Sequence, residues 1–507
     1  MLSIRSIAIS ISLISMVCVP PVCAAIWNVS STSSLVNAVD SANWGDEIVL
    51  ASGTYNLPSI LRLDTPGVTV RGATGNRDDV VLVGGGMNND VSPRNIFLVE
   101  NEDITIRDLT VSESYWNGIQ LRGETNRVNG TLISNVKIMN IGQRYIKGSK
   151  GSISDEMRNV TIENSYLLQT KPYVQQPGVP NDYIGGIDAM ITKNWTIRDN
   201  VFEGIHGLDG EGRGAVFLWQ GGENALIERN IFINNDRSIA LGNWGSGPAR
   251  DNGIYDMDGA IIRNNTVLRY PAGDIGMELV HTKDVEVFNN TFYSQDVNKS
   301  RLFSVLDHGS GSLTPTTGLD IQNNIIRGQI TDSGVGDWSA AAVEAMGNLV
   351  DLTGVEVLEN WFVDPQNGDL HLTNLATGAI GHAPRISSVF EDIDGNFRPD
   401  PTDYGADQFS LYPGDFNGDE IVDDSDLPYW QAGYGLDASG DADNDSDTDG
   451  KDFLIWQRSF QSGPSTGLTA IPEPSTVIMG VIYAIGFLAR RPNSKRVVIE
   501  NHLRIAC

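Results

Sequence analysis

The chain has 507 residues, a formal net charge of -29 and a pI near 4.4. That length accommodates several domains and a large core, and the acidity argues against nucleic acid or an anionic membrane surface as a partner, since both attract basic patches. The only cysteines are Cys18, Cys23 and Cys507.

The first residues, MLSIRSIAISISLISMVCVPPVCAAIW, have the make-up of a secretory signal: Arg5 in a short basic start, an apolar stretch over 7–19, and small residues around Ala24 for the cut. The expected signal is 1–24, and a retained membrane anchor is the alternative. Cys18 and Cys23 would leave with it, so packing and metal rather than disulfides must hold the exported protein.

The next segment, SSLVNAVDSANWGDEIVLASGTYNL, opens with a short amphipathic helix whose face carries Leu35, Val36 and Val39. From there one motif recurs. WTIRDNVF, ALIERNIF, AIIRNNTV, VEVFNNTF and LDIQNNII each place an asparagine three residues after an aliphatic one. The aliphatic positions are Ile162, Ile197, Ile227, Ile262, Val287 and Ile321, spaced about 25 to 35 residues, the range of repeat architectures. Most copies are followed by a second short strand, and no helical period intervenes. One unit cannot bury its apolar face alone, but stacked units can. Asn200, Asn230, Asn265, Asn290 and Asn324 then fall in one column, where each carboxamide can donate to one neighbour and accept from the other.

This pattern resembles the pectate-lyase-like, right-handed parallel β-helix proteins over most of 26–409. The implied fold class is all-β, a right-handed parallel β-helix solenoid, followed by a small α-helical module. DIDGNFRPDPTDYGADQF at 392–409 looks like the closing segment of that group, expected to cover the open end of the stack.

Over 413–462 the composition turns acidic. GDFNGDEIVDDSDLPYW and GDADNDSDTDGKDFLIW align at an offset of 26 residues, with Trp430 matching Trp456. Calcium takes six to eight oxygens, and a 12-residue loop supplies them at fixed positions. The first loop offers Asp415, Asn417, Asp419, the Ile421 carbonyl, Asp423 and Asp426. The second offers Asp441, Asp443, Asp445, the Asp447 carbonyl, Asp449 and Asp452. The pair resembles a type I dockerin, which implies Ca2+ as cofactor and a cohesin-like protein as partner. It departs from the usual loop in having Glu420 and Ser446 where glycine commonly stands. A linker over 463–471 leads to IPEPSTVIMGVIYAIGFLARRP. Its Pro-Glu-Pro start, apolar run and Arg490-Arg491 resemble the PEP-CTERM sorting signal (472–491), which implies processing by an exosortase-type protease, with a tail at 492–507 left over. An ordinary C-terminal anchor is the alternative. The expected location is secreted or at the cell surface, with transient membrane association through this segment.

No serine or cysteine triad, phosphate loop or zinc spacing stands out, which leaves the solenoid surface. Aligning the second strands on Ile119, Ile146, Ile187, Val216, Ile239 and Ile275 gives an outward column of Gln120, Lys147, Asp188, Phe217, Ala240 and Gly276. Lys147 and Asp188 then stand on successive coils as a candidate base and an orienting carboxylate. Arg122, Arg144 and Lys150 are candidate cations for a uronic carboxylate, and Trp116, Trp219 and Trp244 candidate faces for sugar rings. A plain Lys–Asp surface pair is the alternative. The inserted loop 204–215, with His206, Asp209, Glu211 and Arg213, is a second candidate region. The expected function is binding or β-elimination of an acidic polysaccharide, against a non-catalytic surface scaffold or a glycoside hydrolase on the same fold.

Overall fold

The structure is a computed structural model that describes residues 24–125, 127–150, 157–179, 183–243, 255–269, 274–298, 301–306, 316–332, 338–410, 412–419, 421–437, 439–442 and 447–460. Residues 1–23 of the expected 1–24 signal, the linker and the sorting segment lie outside them. Among the described residues, no helix is long and apolar enough to cross a membrane.

The body is a parallel β-helix. Strands pair in parallel with their counterparts one coil away, and they stack in three columns. The first column runs from Ile26–Val29 through Glu47–Leu50 and Thr69–Gly72 to Asp320–Gln322. The second runs from Gly53–Asn56 to Leu349–Asp351. The third holds ten strands, from Leu61–Leu63 to Ile330–Asp332. Within the first column Ile162, Ile197, Ile227, Ile262, Val287 and Ile321 lie in one register and are all fully buried. Each contributes roughly 2 kcal/mol of apolar burial, and only because a neighbouring coil covers it. In the second column Phe202 stacks on Phe232 with centroids 4.8 Å apart.

The asparagines form the expected ladder. Nδ2 of Asn200 donates to Oδ1 of Asn230 at 3.0 Å, and the chain of bonds continues through Asn265, Asn290 and Asn324 at 2.9 Å each. It ends one rung later than the repeat suggested, on Asn348 at 2.8 Å. Each Nδ2 also donates to a main-chain carbonyl of the preceding coil, such as Ile162 for Asn200 and Ile227 for Asn265. At the other end Ser165 takes the place of a carboxamide, its main-chain N–H donating to Asn200. A buried carboxamide left without partners would cost about 1–3 kcal/mol per group, so the ladder is favourable only as a continuous run.

The residue before each rung turns the corner with positive φ: Asp199, Arg229, Asn264, Asn289 and Asn323 lie between 50° and 59°. Asparagine tolerates that region better than most residues. On the later coils these corners have a second task. Asn264 Nδ2 donates to the carbonyl of Glu391, Asn289 to Asp403 and Asn323 to Pro384. The segment 383–406 is thereby strapped along the side of the stack. Buried Arg398 secures it with bonds to Asn264 Oδ1 and the carbonyls of Gly405 and Ala406. A second core of Leu268, Tyr293, Ile325, Trp361, Phe362 and Leu370 lies beneath this region.

This corrects the expectation that 392–409 closes the end of the stack. The helix Ala340–Ala345 stands where the next first-column strand would fall, and it turns Val343 into the main core. The opposite end is covered as expected by the helix Thr32–Ser41, which buries Leu35, Ala38 and Val39 and packs Val36 against the core. A Ser31–Ser34 capping box starts this helix.

Beyond residue 412, two short helices, Leu427–Gly433 and Gly450–Ser459, follow the two acidic loops. Their contacts are reciprocal. Trp430 Nε1 donates to the carbonyl of Asp449 at 2.9 Å, and Trp456 Nε1 to that of Asp423 at 3.1 Å. Gly414 packs on the Trp456 backbone and Gly440 on that of Trp430, each so closely that a Cβ would clash.

Candidate functional site

The outward column of the third sheet is confirmed in register from Gln120 through Lys147, Asp188 and Phe217 to Ala240. The next member is Glu278, not Gly276. Ile275 and Met277 are both inward-facing and buried, so a slip of two residues preserves the alternation and leaves no mark in the sequence.

Asp188 is buried and is the hub of the column. Arg144 Nε donates to its Oδ2, while Lys147 Nζ at 3.1 Å and Trp219 Nε1 at 3.0 Å donate to its Oδ1. Burial alone would push this carboxyl up. The opposing charges of Arg144 and Lys147, with the Trp219 and Arg144 bonds, outweigh burial and hold it below the ordinary range. Beside it, Phe217 and Trp219 stack with centroids 5.3 Å apart and planes 3° from parallel. Both rings belong to the strand Val216–Trp219, whose alternation puts residues 217 and 219 on the same face.

The remaining candidates divide. Arg144 is itself buried and lies over the Tyr183 ring at 3.9 Å, so it reaches Asp188 rather than solvent. Half-buried Arg213 is closer to the surface, and burial together with the charges of Arg144 and Arg237 pushes its guanidinium below the usual value. Arg122 bonds to Glu100 at 2.5 Å, two coils before Asp188. Lys150 is exposed. Trp116 is exposed and carries Arg94 over its ring at 4.6 Å, and Trp244 lies outside the described residues. In the inserted loop, His206 Nδ1 meets buried Asp236 at 2.6 Å, and the other Asp236 oxygen accepts from Gly207 and Gly212. Asp236 therefore clamps this loop shut. Sequence reading missed Asp236 and Tyr183, whose partners lie on other coils.

In the acidic module Asp426 and Asp452 correspond, each accepting from the main-chain N–H three residues before it. Asp426 accepts from the main-chain N–H of Asn417 and Asp423, and Asp452 from those of Ala442 and Asp449. Asp415 Oδ1 accepts from Gly418 and Asp419, and Asp419 from Ile421. In the second loop the carboxylates of Asp447, Asp449 and Asp452 bring oxygens within 4.8 Å of one another. The all-oxygen donor set and this convergence fit a calcium ion. Asp441 is described in this loop, whereas Asp443, Asp445 and both replaced glycine positions, Glu420 and Ser446, lie outside the described residues.

No protein-family profile and no curated protein sequence matches the chain. Among solved structures, it is similar to pectate lyase Pel9A at 14% identity over 76% of this chain and 96% of that one, with a TM-score of 0.48. The PL6 family polysaccharide lyase Pedsa3628 from Pseudopedobacter saltans is 15% identical over 76% of this chain and 99% of that one, with a TM-score of 0.38. An alginate lyase from Paenibacillus sp. str. FPU-7 is 17% identical over 58% of this chain and 99% of that one, with a TM-score of 0.31.

Proposed function

We propose that the protein is exported, attached at the cell surface, and acts on an acidic polysaccharide along its third sheet by β-elimination. The observation that carries this reading is the Arg144–Asp188–Lys147 cluster beside the stacked Phe217 and Trp219. Aromatic faces suit the apolar faces of sugar rings, and cations neutralise a uronic carboxylate so that the adjoining carbon gives up its proton. Lys147 is the proposed base. Its Nζ is fixed by Asp188, which Arg144 anchors from the buried side. The base takes the proton beside the carboxylate, a double bond forms between the two carbons, and the carbon–oxygen bond to the leaving sugar breaks with its electron pair on the oxygen, which takes up a proton from water. Arg213, Arg122 and Lys150 are proposed to neutralise substrate carboxylates.

The C-terminal module is proposed to bind calcium through its two loops and to dock on a cohesin-like partner, with sorting through the PEP-CTERM-like segment. A glycoside hydrolase built on this column is disfavoured. Asp188 and Glu278 stand three coils apart, about 14 Å at the usual strand spacing, beyond the roughly 5–9.5 Å that such carboxylate pairs need.

Incubating the full chain with polygalacturonate and alginate tests the reading. Ultraviolet absorbance of an unsaturated product, lost in Lys147→Ala while the melting temperature holds, supports it. New reducing ends without unsaturation would mean hydrolysis, and saturable binding without turnover would leave a scaffold.

A further inference from the structure

A second cluster of ligating side chains lies away from the third sheet, where the strap meets the hairpin of Phe362–Asp364 and Asp369–Leu372. His371 comes from the hairpin, Asp394 from the tight turn at 392–396 and Asp407 from the end of the strap. One ligand atom from each lies within 4.8 Å of the other two. The imidazole is already oriented, because its Nδ1 meets Asp369 Oδ1 at 2.6 Å. That leaves Nε2 on the side of Asp394.

Nε2 stands 3.0 Å from Asp394 Oδ2. The two atoms are sealed from solvent, and they form an ion pair when the ring is protonated but fall outside regular hydrogen-bond geometry. A metal cation between them would take the place of that proton and bond both atoms. Asp407 is held in place through its Oδ2, which accepts from the N–H of Leu372 at 2.6 Å. Asp392 is close by but committed, accepting from the N–H groups of Asp394, Asn396 and Gln408. A carboxylate on the far nitrogen of a ligating histidine is the usual outer partner of a metal site.

We propose that His371, Asp394 and Asp407 bind a divalent transition-metal ion of the zinc class, which ties the hairpin to the strap. One imidazole with two carboxylates suits Zn2+ or Co2+, whereas calcium takes oxygen ligands. The ion would complete a fastening whose other points are the corner asparagines.

The test uses the full chain, stripped of metal and then held in saturating Ca2+ so that the acidic loops do not take up the probe. Zn2+ is titrated by calorimetry and Co2+ by visible absorption. The expected result is one tight Zn2+ equivalent, a raised melting temperature of the body, and a Co2+ band characteristic of a nitrogen-containing ligand set. His371→Gln should abolish tight binding and the band. Asp369→Asn should keep all three ligands and weaken binding about tenfold. If a variant unfolds, the Co2+ spectrum of the unaltered chain still decides. An oxygen-only spectrum, no tight Zn2+ uptake, or Zn2+ binding unchanged in His371→Gln would overturn the proposal and leave His371 as an imidazolium paired with Asp369 and Asp394.

Discussion

The body and the C-terminal module are both built from repeats, but they join their units by opposite rules. In the solenoid each residue meets its own counterpart: asparagine bonds asparagine and isoleucine covers isoleucine. In the module, each unit's tryptophan meets the other unit's loop. The first rule is a translation and can be repeated without limit. The second is an exchange between two partners and closes on itself. Spacing follows from this. Coils tolerate insertions because only the stacked strands must align, so ladder steps of 25, 30 and 35 residues coexist. The paired loops have no such latitude and keep one offset.

The largest expected effect separates the two regions outright. Chelating calcium should melt the module, whose clustered carboxylates then repel one another, while the body keeps its transition. Scanning calorimetry of the full chain with and without chelator reads this, and a single transition indifferent to chelator would contradict it. Next comes Asn265→Leu. It removes the donor to Asn290 and the acceptor for Asn230, both buried, and should cost the body about 3–4 kcal/mol. The module's own calorimetric transition should be unaffected, and the shift of the body's transition alone distinguishes the two.

A pH dependence sharpens the comparison within the body. Burial pushes Asp256 up to about 6, with the main-chain N–H groups of Asn243 and Gln220 only partly offsetting it. A carboxyl raised in the folded state contributes stability that is complete below its unfolded value near 3.8 and is lost as pH rises through about 6. Asp256→Asn should therefore be more stable than the natural chain by about 2–3 kcal/mol at pH 8 and no more stable at pH 3.5. Equal differences at the two pH values would refute this assignment. The smallest effect concerns the corners. Asn323→Ala should loosen the strap by about 1 kcal/mol and speed amide exchange over 383–406. Asp199→Ala, on a coil that the strap does not reach, should leave that exchange unchanged.

The solenoid was legible in the sequence because its signal is local. The distance from aliphatic residue to asparagine is constant, and the Lys147–Asp188 register follows from strand alternation. The double role of the Asn-Asn pairs was not legible. The second asparagine of each pair carries the ladder, but the first looks like any turn residue until its partner, 61 to 127 residues away, is known. The same holds for His371, Asp394 and Asp407, which no spacing rule joins. Burial of Arg144 was hidden as well, since a cation at the start of a strand reads as exposed until Tyr183 is seen to cover it.

The strap also fixes where this protein can grow. The corners of Asp199 and Arg229 pair with each other by hydrogen bonds, so duplicating a coil there would lengthen the stack and shift everything after it together. An extra coil between Asn264 and Asn323 would move three docking points apart while the strap kept its length. The solenoid is extensible in its middle, and gauged to a set length at its end by the strap and at its beginning by Gly75 and Arg77 on the corners of Asn135 and Asn164.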